Sequence, residues 1–299
     1  MKKRLFILLL SLTSYYAIAQ ERISVAIIPI TFDENRVTNA DAKIIQETVL
    51  NTFVAAKRFT VVDREKLQEI EKEKKLQRSE AFMDSQSSVK EGVSKGASFL
   101  IASNIVSIRH SPIQKGFESA INIQIKVLDV STGEIIATEN ISSELLPIDQ
   151  TIKNVQKKYF TKDEQKVEEL KENQLKQIKA HKEDAFMVAL QRLSENIKKF
   201  NSFNFPVSLS IVEFDKKNKD EFILGGGFKI GLHKGQQLEI IKITETQIDG
   251  KPVERKQKLT TAWVVNVEDE NFSKAVIIDE NKEYKAAKKI NAKLGAIIR

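Results

Sequence analysis

Hydrophobic and polar positions change rhythm several times along this chain, and each change marks an element. Ile23-Ser24-Val25-Ala26-Ile27-Ile28-Pro29-Ile30 is almost wholly apolar and rich in β-branched residues, which predicts a strand buried on both faces. After a polar loop from Phe32 to Thr38, Ile45, Val49, Phe53 and Ala56 recur at spacings of three and four. That is the stripe of an amphipathic helix, and Thr38 or Asn39 can cap it. Phe59-Thr60-Val61-Val62 predicts a short strand. Asp63 then suits the N-cap of a second helix, with Glu65 in its first turn and a buried stripe at Leu67, Ile70 and Leu76. Ser88-Val89-Lys90-Glu91 has the form of a capping box, opening a short helix that Gly96 closes.

Two strand-like runs follow, Ser98 to Ile108 and Phe117 to Val130. In the second, Ile121, Ile123, Ile125 and Val127 alternate with Asn122, Gln124 and Lys126, so one face is buried and one is wet. Between the runs, Arg109 to Lys115 reads as a short polar loop. Ser131-Thr132-Gly133-Glu134 predicts a turn into Ile135-Ile136-Ala137-Thr138, and hence a hairpin. A β-α-β-α-α-β-β order of this kind implies an α/β fold: a mixed sheet flanked by helices.

From about Asp163 to Phe200 the pattern is helical and densely charged. Val167, Leu170 and Ile178 form a thin apolar stripe, whereas Ala185, Ala189, Leu193 and Ile197 form a broader one. The later half is expected on the sheet; the earlier half projects into solvent or pairs with another chain. Beyond Asn201 to Pro206 helix signals fade. Short strand candidates take over at Val207–Phe214, Phe222–Ile230, Gln237–Thr244, Leu259–Val267, Ala275–Ile278 and Leu294–Ile298, with turns at Gly225 to Gly227, Gly231, Gly235 and Asp249-Gly250. Their spacing predicts a smaller all-β barrel or sandwich domain. The expected division is 1–19, 20–204 and 205–299.

The first segment differs in kind. Lys2, Lys3 and Arg4 precede an apolar run from Leu5 to Leu12, and Ala17-Ile18-Ala19 supplies small residues for signal-peptidase cleavage before Gln20. The run is about half the roughly 20 apolar residues that a spanning helix needs. Export by a cleaved signal peptide is therefore expected, and with it a periplasmic location. The chain has no cysteine, so neither disulfides nor a lipid anchor on an N-terminal cysteine is expected. Without Lys2, Lys3 and Arg4, 45 basic residues stand against 41 acidic ones. The two signs are interspersed throughout, unlike the one-sided basic surface of a nucleic-acid binder. No later run is apolar enough for an integral membrane span.

Four segments resemble the CsgG family, the curli secretion component and its relatives, which include LpoB-type activators of peptidoglycan synthases. They are Val25-Ala26-Ile27-Ile28-Pro29, Lys57 to Leu67, Gly96 to Ser103, and Leu128-Asp129-Val130-Ser131-Thr132-Gly133-Glu134-Ile135. In the C-terminal part, Phe228 to Ile240 and Trp263 to Val267 are more weakly similar to the small β-domain of the flagellar protein FlgT. The resemblance implies assembly, secretion or regulation at the cell envelope through protein binding. Family members at the outer membrane commonly carry a lipidated N-terminal cysteine, and here Gln20 stands in that place. The secretion channel of the family also inserts long membrane hairpins, for which Arg109 to Lys115 offers no counterpart.

Candidate chemistry adds little. His110, His181 and His233 have no metal-ligand spacing and read as solvated surface residues in a loop, a charged helix and a glycine-flanked turn. Gly225-Gly226-Gly227 with Lys229 lacks the G-K-[ST] of a phosphate loop and reads as hairpin or bulge glycines. Asp33-Glu34 and Asp63-Glu65 are neighbours of the sort that an acid-rich chain produces by chance. No G-x-S-x-G elbow is present. No catalytic, cofactor-binding or metal residue is therefore expected, and no cofactor. The expected partners are envelope or secretion-machinery proteins, with homo-oligomerisation open. The readings in contention are an accessory protein acting by protein binding, an outer-membrane secretion channel subunit, and a cell-wall or polysaccharide binding module.

Overall fold

The computed structural model describes residues 22–63, 96–145, 150–176, 178–215, 217–218, 220–278 and 280–298. The expected signal peptide, the helix expected after Asp63 and the expected capping box at Ser88 lie outside them.

The first layer is a five-stranded mixed sheet in the order β2-β1-β3-β4-β5. Its strands are β1 (Ile23–Ile27), β2 (Phe59–Asp63), β3 (Phe99–Ile113), β4 (Gly116–Asp129) and β5 (Ile135–Ser142). β1 runs parallel to both β2 and β3, which is why Val25, Ala26 and Ile27 are buried. β3, β4 and β5 are antiparallel. Helix α1 (Asn39–Ala55) starts where Thr38 Oγ1 accepts the N–H of Asp41 at 3.1 Å. Its Ile45, Val49 and Phe53 share one core with Ile121, Ile123, Ile125 and Val127 of β4.

The charged region after the sheet forms three helices: α2 (Gln150–Tyr159), α3 (Lys162–Lys176) and α4 (Lys182–Asn204). Ala189, Leu193 and Ile197 of α4 complete the sheet's core, as their spacing predicts. The expected continuous helix is broken near residue 179. There the Phe117 N–H donates to Lys179 O at 2.8 Å, holding the chain extended against the β3–β4 hairpin. Gly116, at φ +147°, makes this approach possible: a Cβ would lie 2.2 Å from Lys179 O. The hairpin also corrects the expectation of a polar loop from Arg109 to Lys115. Arg109–Ile113 continue β3 and pair with Gly116–Ala120. Backbone pairing holds this end of the strand, so its side chains lack the apolar alternation that marks a half-buried one.

The second layer is a closed, fully antiparallel barrel in the order β10-β7-β6-β11-β8-β9. It comprises β6 (Val207–Phe214), β7 (Glu221–Gly225), β8 (Gln237–Ile248), β9 (Lys251–Val267), β10 (Phe272–Ile277) and β11 (Leu294–Ile298). Leu209, Phe222, Leu224, Leu238, Ile240, Val264 and Ala296 form its core, with Tyr284 and Ala287 of a short helix α5 (Lys282–Lys289). The sequence pattern does not announce α5, because only two of its residues are buried and the rest of its surface is charged. Asn281 caps it, accepting from the Tyr284 N–H at 2.8 Å and donating to Leu259 O. β8 and β9 also run further than their apolar patterns indicate, out to the two-residue turn Asp249-Gly250, where both φ angles are positive.

Candidate interaction site

α1 and α4 lie side by side on one face of the sheet. Thr52 Oγ1 and Ser194 Oγ, 2.8 Å apart, join them. Their inward stripes are spent on the core, and the flanking positions leave a groove of about 580 Å³ on the outer surface. Ile44, Ala55, Met187 and Leu190 give it an apolar lining, with Lys43, Glu47 and Lys198 around them. Ile44 is 41% exposed and Met187 is 53% exposed. A groove between two helices, lined by the flexible Met187 and the apolar Ile44, suits apolar side chains presented by a protein segment.

On the opposite face of the sheet, the middle of β3, β4 and β5 is polar. Asn104, Gln124 and Asn140 stand in register across β3, β4 and β5. Thr31 Oγ1 donates to Asn104 Oδ1 at 2.9 Å, and Gln124 Nε2 donates to Asn140 Oδ1 at 3.4 Å. This row of amides offers both donors and acceptors without net charge.

Two contacts clasp barrel and sheet layer together. Gly231, at φ +82°, packs on the turn after α1, where a Cβ would lie 2.2 Å from Ala56 O; Lys57 Nζ stands 5.6 Å from the Phe228 ring centroid. Lys234 Nζ lies 2.7 Å from Glu164 Oε2 and 4.7 Å from the Phe160 ring centroid. Glu164 also closes a capping box at the start of α3, accepting from the Thr161 N–H at 2.8 Å. The Lys234 hydrogen bond and the Thr161 N–H together hold its carboxyl below the usual range. Arg58 is buried, and its guanidinium donates to Ser202 Oγ at 2.8 Å and to Phe205 O at 3.4 Å, fastening β2 to the end of α4. Burial lowers its pKa.

The residues singled out for chemistry are scattered. His110 sits in β3, not in a loop: its Nδ1 is 2.8 Å from Ser119 Oγ and its ring meets Phe186 edge-on. Burial, then the charge of Lys182, lowers its pKa. His181 is the N-cap residue of α4, with no capping hydrogen bond from its ring. His233 lies in the turn after Gly231, and its Nδ1 stands 3.4 Å from Gly231 O. Gly225 ends β7, while Gly227 precedes a 3-10 turn (Phe228–Ile230). A Cβ at Gly227 would lie 2.0 Å from Asp269 O, so close backbone approach accounts for this glycine. Asp33 Oδ1 accepts from its own loop, at the Asn35 N–H. Among the described residues, no group of three or more His, Asp or Glu side chains is placed to hold a metal ion. The Tyr284 hydroxyl is buried without a hydrogen-bond partner, and burial raises its pKa. Along α3 the charges pair locally, Lys171 with Glu168 at 2.7 Å and Lys176 with Glu172, while Val167 and Leu170 stay about half exposed. No helix among the described residues is long and apolar enough to cross a membrane.

The α1/α4 groove escaped sequence reasoning because its lining comes from the flanks of two stripes about 140 residues apart in the chain. The amide row was visible only as the wet half of β4's alternation.

Residues 34–142 match the family model of the peptidoglycan-synthase activator LpoB. No curated protein sequence matches the chain. Among solved structures, the chain is similar to the PelC dodecamer from Paraburkholderia phytofirmans, at 14% identity and a TM-score of 0.26, over 40% of this chain and 70% of that one. It is also similar to the hypothetical protein CT253 from Chlamydia trachomatis, at 10% identity and a TM-score of 0.33, over 62% of this chain and 98% of that one. Lipoprotein GNA1162 from Neisseria meningitidis aligns at 9% identity and a TM-score of 0.27, over 40% and 81% of the two chains. These structural likenesses are too distant to bear on function.

Proposed function

We propose that this chain is a non-catalytic accessory protein of the bacterial cell envelope that acts by binding, and that its partner is a peptidoglycan synthase. The observation that carries this reading is the match of residues 34–142 to the activator LpoB. That segment contains α1, one wall of the apolar groove. On this reading the exported chain works in the periplasm, freed of residues 1–19 and without a lipid anchor, and the groove receives apolar side chains of the synthase. Barrel and sheet layer act as one body, because the contacts at Gly231 and Lys234 hold the groove in a fixed relation to the barrel.

Site-specific photo-cross-linking in intact cells tests this. A cross-linker at Met187 is expected to capture a peptidoglycan synthase, and one at the exposed Ile135 of β5 is not. Capture of a secretion-apparatus protein from Met187 would move the assignment to the curli-type branch of the resemblance. Recovery of the chain in the cytoplasm would overturn the reading outright.

A further inference from the structure

The barrel is closed everywhere except where two of its strands outrun it. β11 pairs with β8 only from Glu239 to Lys242, and β10 pairs with β9 only from Ala262 to Val267. Beyond these points six cross-strand pairs continue, from Ile243↔Lys256 to Ile248↔Lys251. They make a two-stranded arm that projects roughly 20 Å. Residues Thr244 to Ile248 are all exposed, Ile248 at 55%. A two-stranded ribbon in water is marginal by itself.

The two edges of the arm are unlike. The β9 edge carries Lys251, Pro252, Arg255, Lys256 and Lys258, the residues that protect an exposed strand from pairing. The β8 edge reads Ile243-Thr244-Glu245-Thr246-Gln247-Ile248, with β-branched Ile or Thr at four of its six positions, a single charge at Glu245, and no Lys, Pro or Gly. It is the unprotected side. The Ile243 N–H donates to Lys293 O at 2.9 Å, so it points away from β9. By the two-residue period of a strand, the backbone groups of Glu245 and Gln247 point the same way. Among the described residues, no strand lies there to meet them.

We infer that this edge pairs with the same edge of a second copy of the chain, antiparallel, about a two-fold axis through Thr246. That register sets Glu245 opposite Gln247 of the second copy, twice, and these are the residues whose backbone groups face outward. They therefore form hydrogen-bonded pairs, with four backbone hydrogen bonds across the axis. Thr246 meets its own counterpart in a non-hydrogen-bonded pair, where side chains approach most closely. Thr244 meets Ile248 of the second copy on the same face. The adjacent registers are penalised: centring on Glu245 sets it against itself, and centring on Gln247 sets Glu245 against Asp249 of the second copy. Charge and backbone direction thus favour this register over its neighbours in a self-complementary, closed dimer. The inference goes beyond the proposed function and does not depend on it.

The absence of cysteine supplies a clean test. The full chain carrying Thr246→Cys, mildly oxidised, is expected to give mainly a disulfide-linked dimer, and Thr138→Cys, exposed on β5, mainly monomer. Sedimentation of the unmodified chain is expected to show a mass rising with concentration towards twice the monomer. Gln247→Glu opposes like charges twice and is expected to weaken the dimer roughly tenfold at low salt, less at high salt. A chain that stays monomeric over that range would overturn the inference. So would a dimer indifferent to Gln247→Glu, or Thr246→Cys cross-linking no faster than Thr138→Cys.

Discussion

The two layers of this molecule solve the problem of an open sheet edge differently. In the first, five strands leave β2 and β5 as edges among the described residues, and α1 and α4 cover one face to close the core. In the second, six strands close on themselves, and one short helix adds Tyr284 and Ala287 to the core. The sheet layer gathers its core from residues as far apart as Val25 and Phe205, whereas the barrel gathers its own from Val207 onwards. A layer assembled from both ends of a long segment presents helices, and a groove between them. A barrel presents loops, and here an arm.

The sharpest way to break the comparison is to empty each core in turn. Phe53 and Phe222 are both fully buried. Phe53→Ala and Phe222→Ala are each expected to cost about 3–5 kcal/mol. The single tryptophan, Trp263, is buried on barrel strand β9 and serves as a fluorescence reporter for that strand. While the junction holds, each variant should shift the Trp263 fluorescence and the helical circular dichroism together to lower denaturant.

A smaller effect is expected at the junction. Gly231→Ala forces a Cβ towards Ala56 O at a positive φ and should cost about 1–3 kcal/mol. It should also separate the fluorescence and dichroism transitions, which coincide while the clasp holds. Next come the caps. Thr38→Ala is expected to cost about 1 kcal/mol. Asn281→Ala should cost more, because Asn281 caps α5 and also donates to Leu259 O. Thermal unfolding of the two variants side by side checks the order.

The smallest effect concerns Glu164. Its folded pKa is lowered by Lys234 and the Thr161 N–H, so the stability it contributes is present above its unfolded value of about 4.3. That contribution is lost as pH falls through the lowered folded value. The pair is partly exposed, so Glu164→Gln should cost under about 1 kcal/mol at neutral pH. It should also abolish this part of the acid dependence, as measured by denaturation across an acid series.

How much of this was legible follows from where the apolar residues sit. Ile121, Ile123, Ile125 and Val127 announce β4 because one face of that strand is core and the other water. Ala189, Leu193 and Ile197 announce the packed helix for the same reason. Arg109–Ile113 and Thr244–Lys258 are strands held by backbone pairing, with little burial to leave a pattern. The break near Lys179 is equally silent, since a hydrogen bond from Phe117, about 60 residues earlier, imposes it. The resemblance to LpoB-type proteins over the first layer agrees with the match of residues 34–142 to that family model.

The proposed function is that this chain acts on a peptidoglycan synthase by binding to it. Its most direct test is the polymerisation rate of a purified peptidoglycan synthase from the same cell, with and without the full chain. The account predicts faster polymerisation with the chain present, and loss of that gain when Ile44→Glu and Met187→Glu charge the groove. An unchanged rate at saturating chain, or equal stimulation by the charged-groove variant, would contradict it.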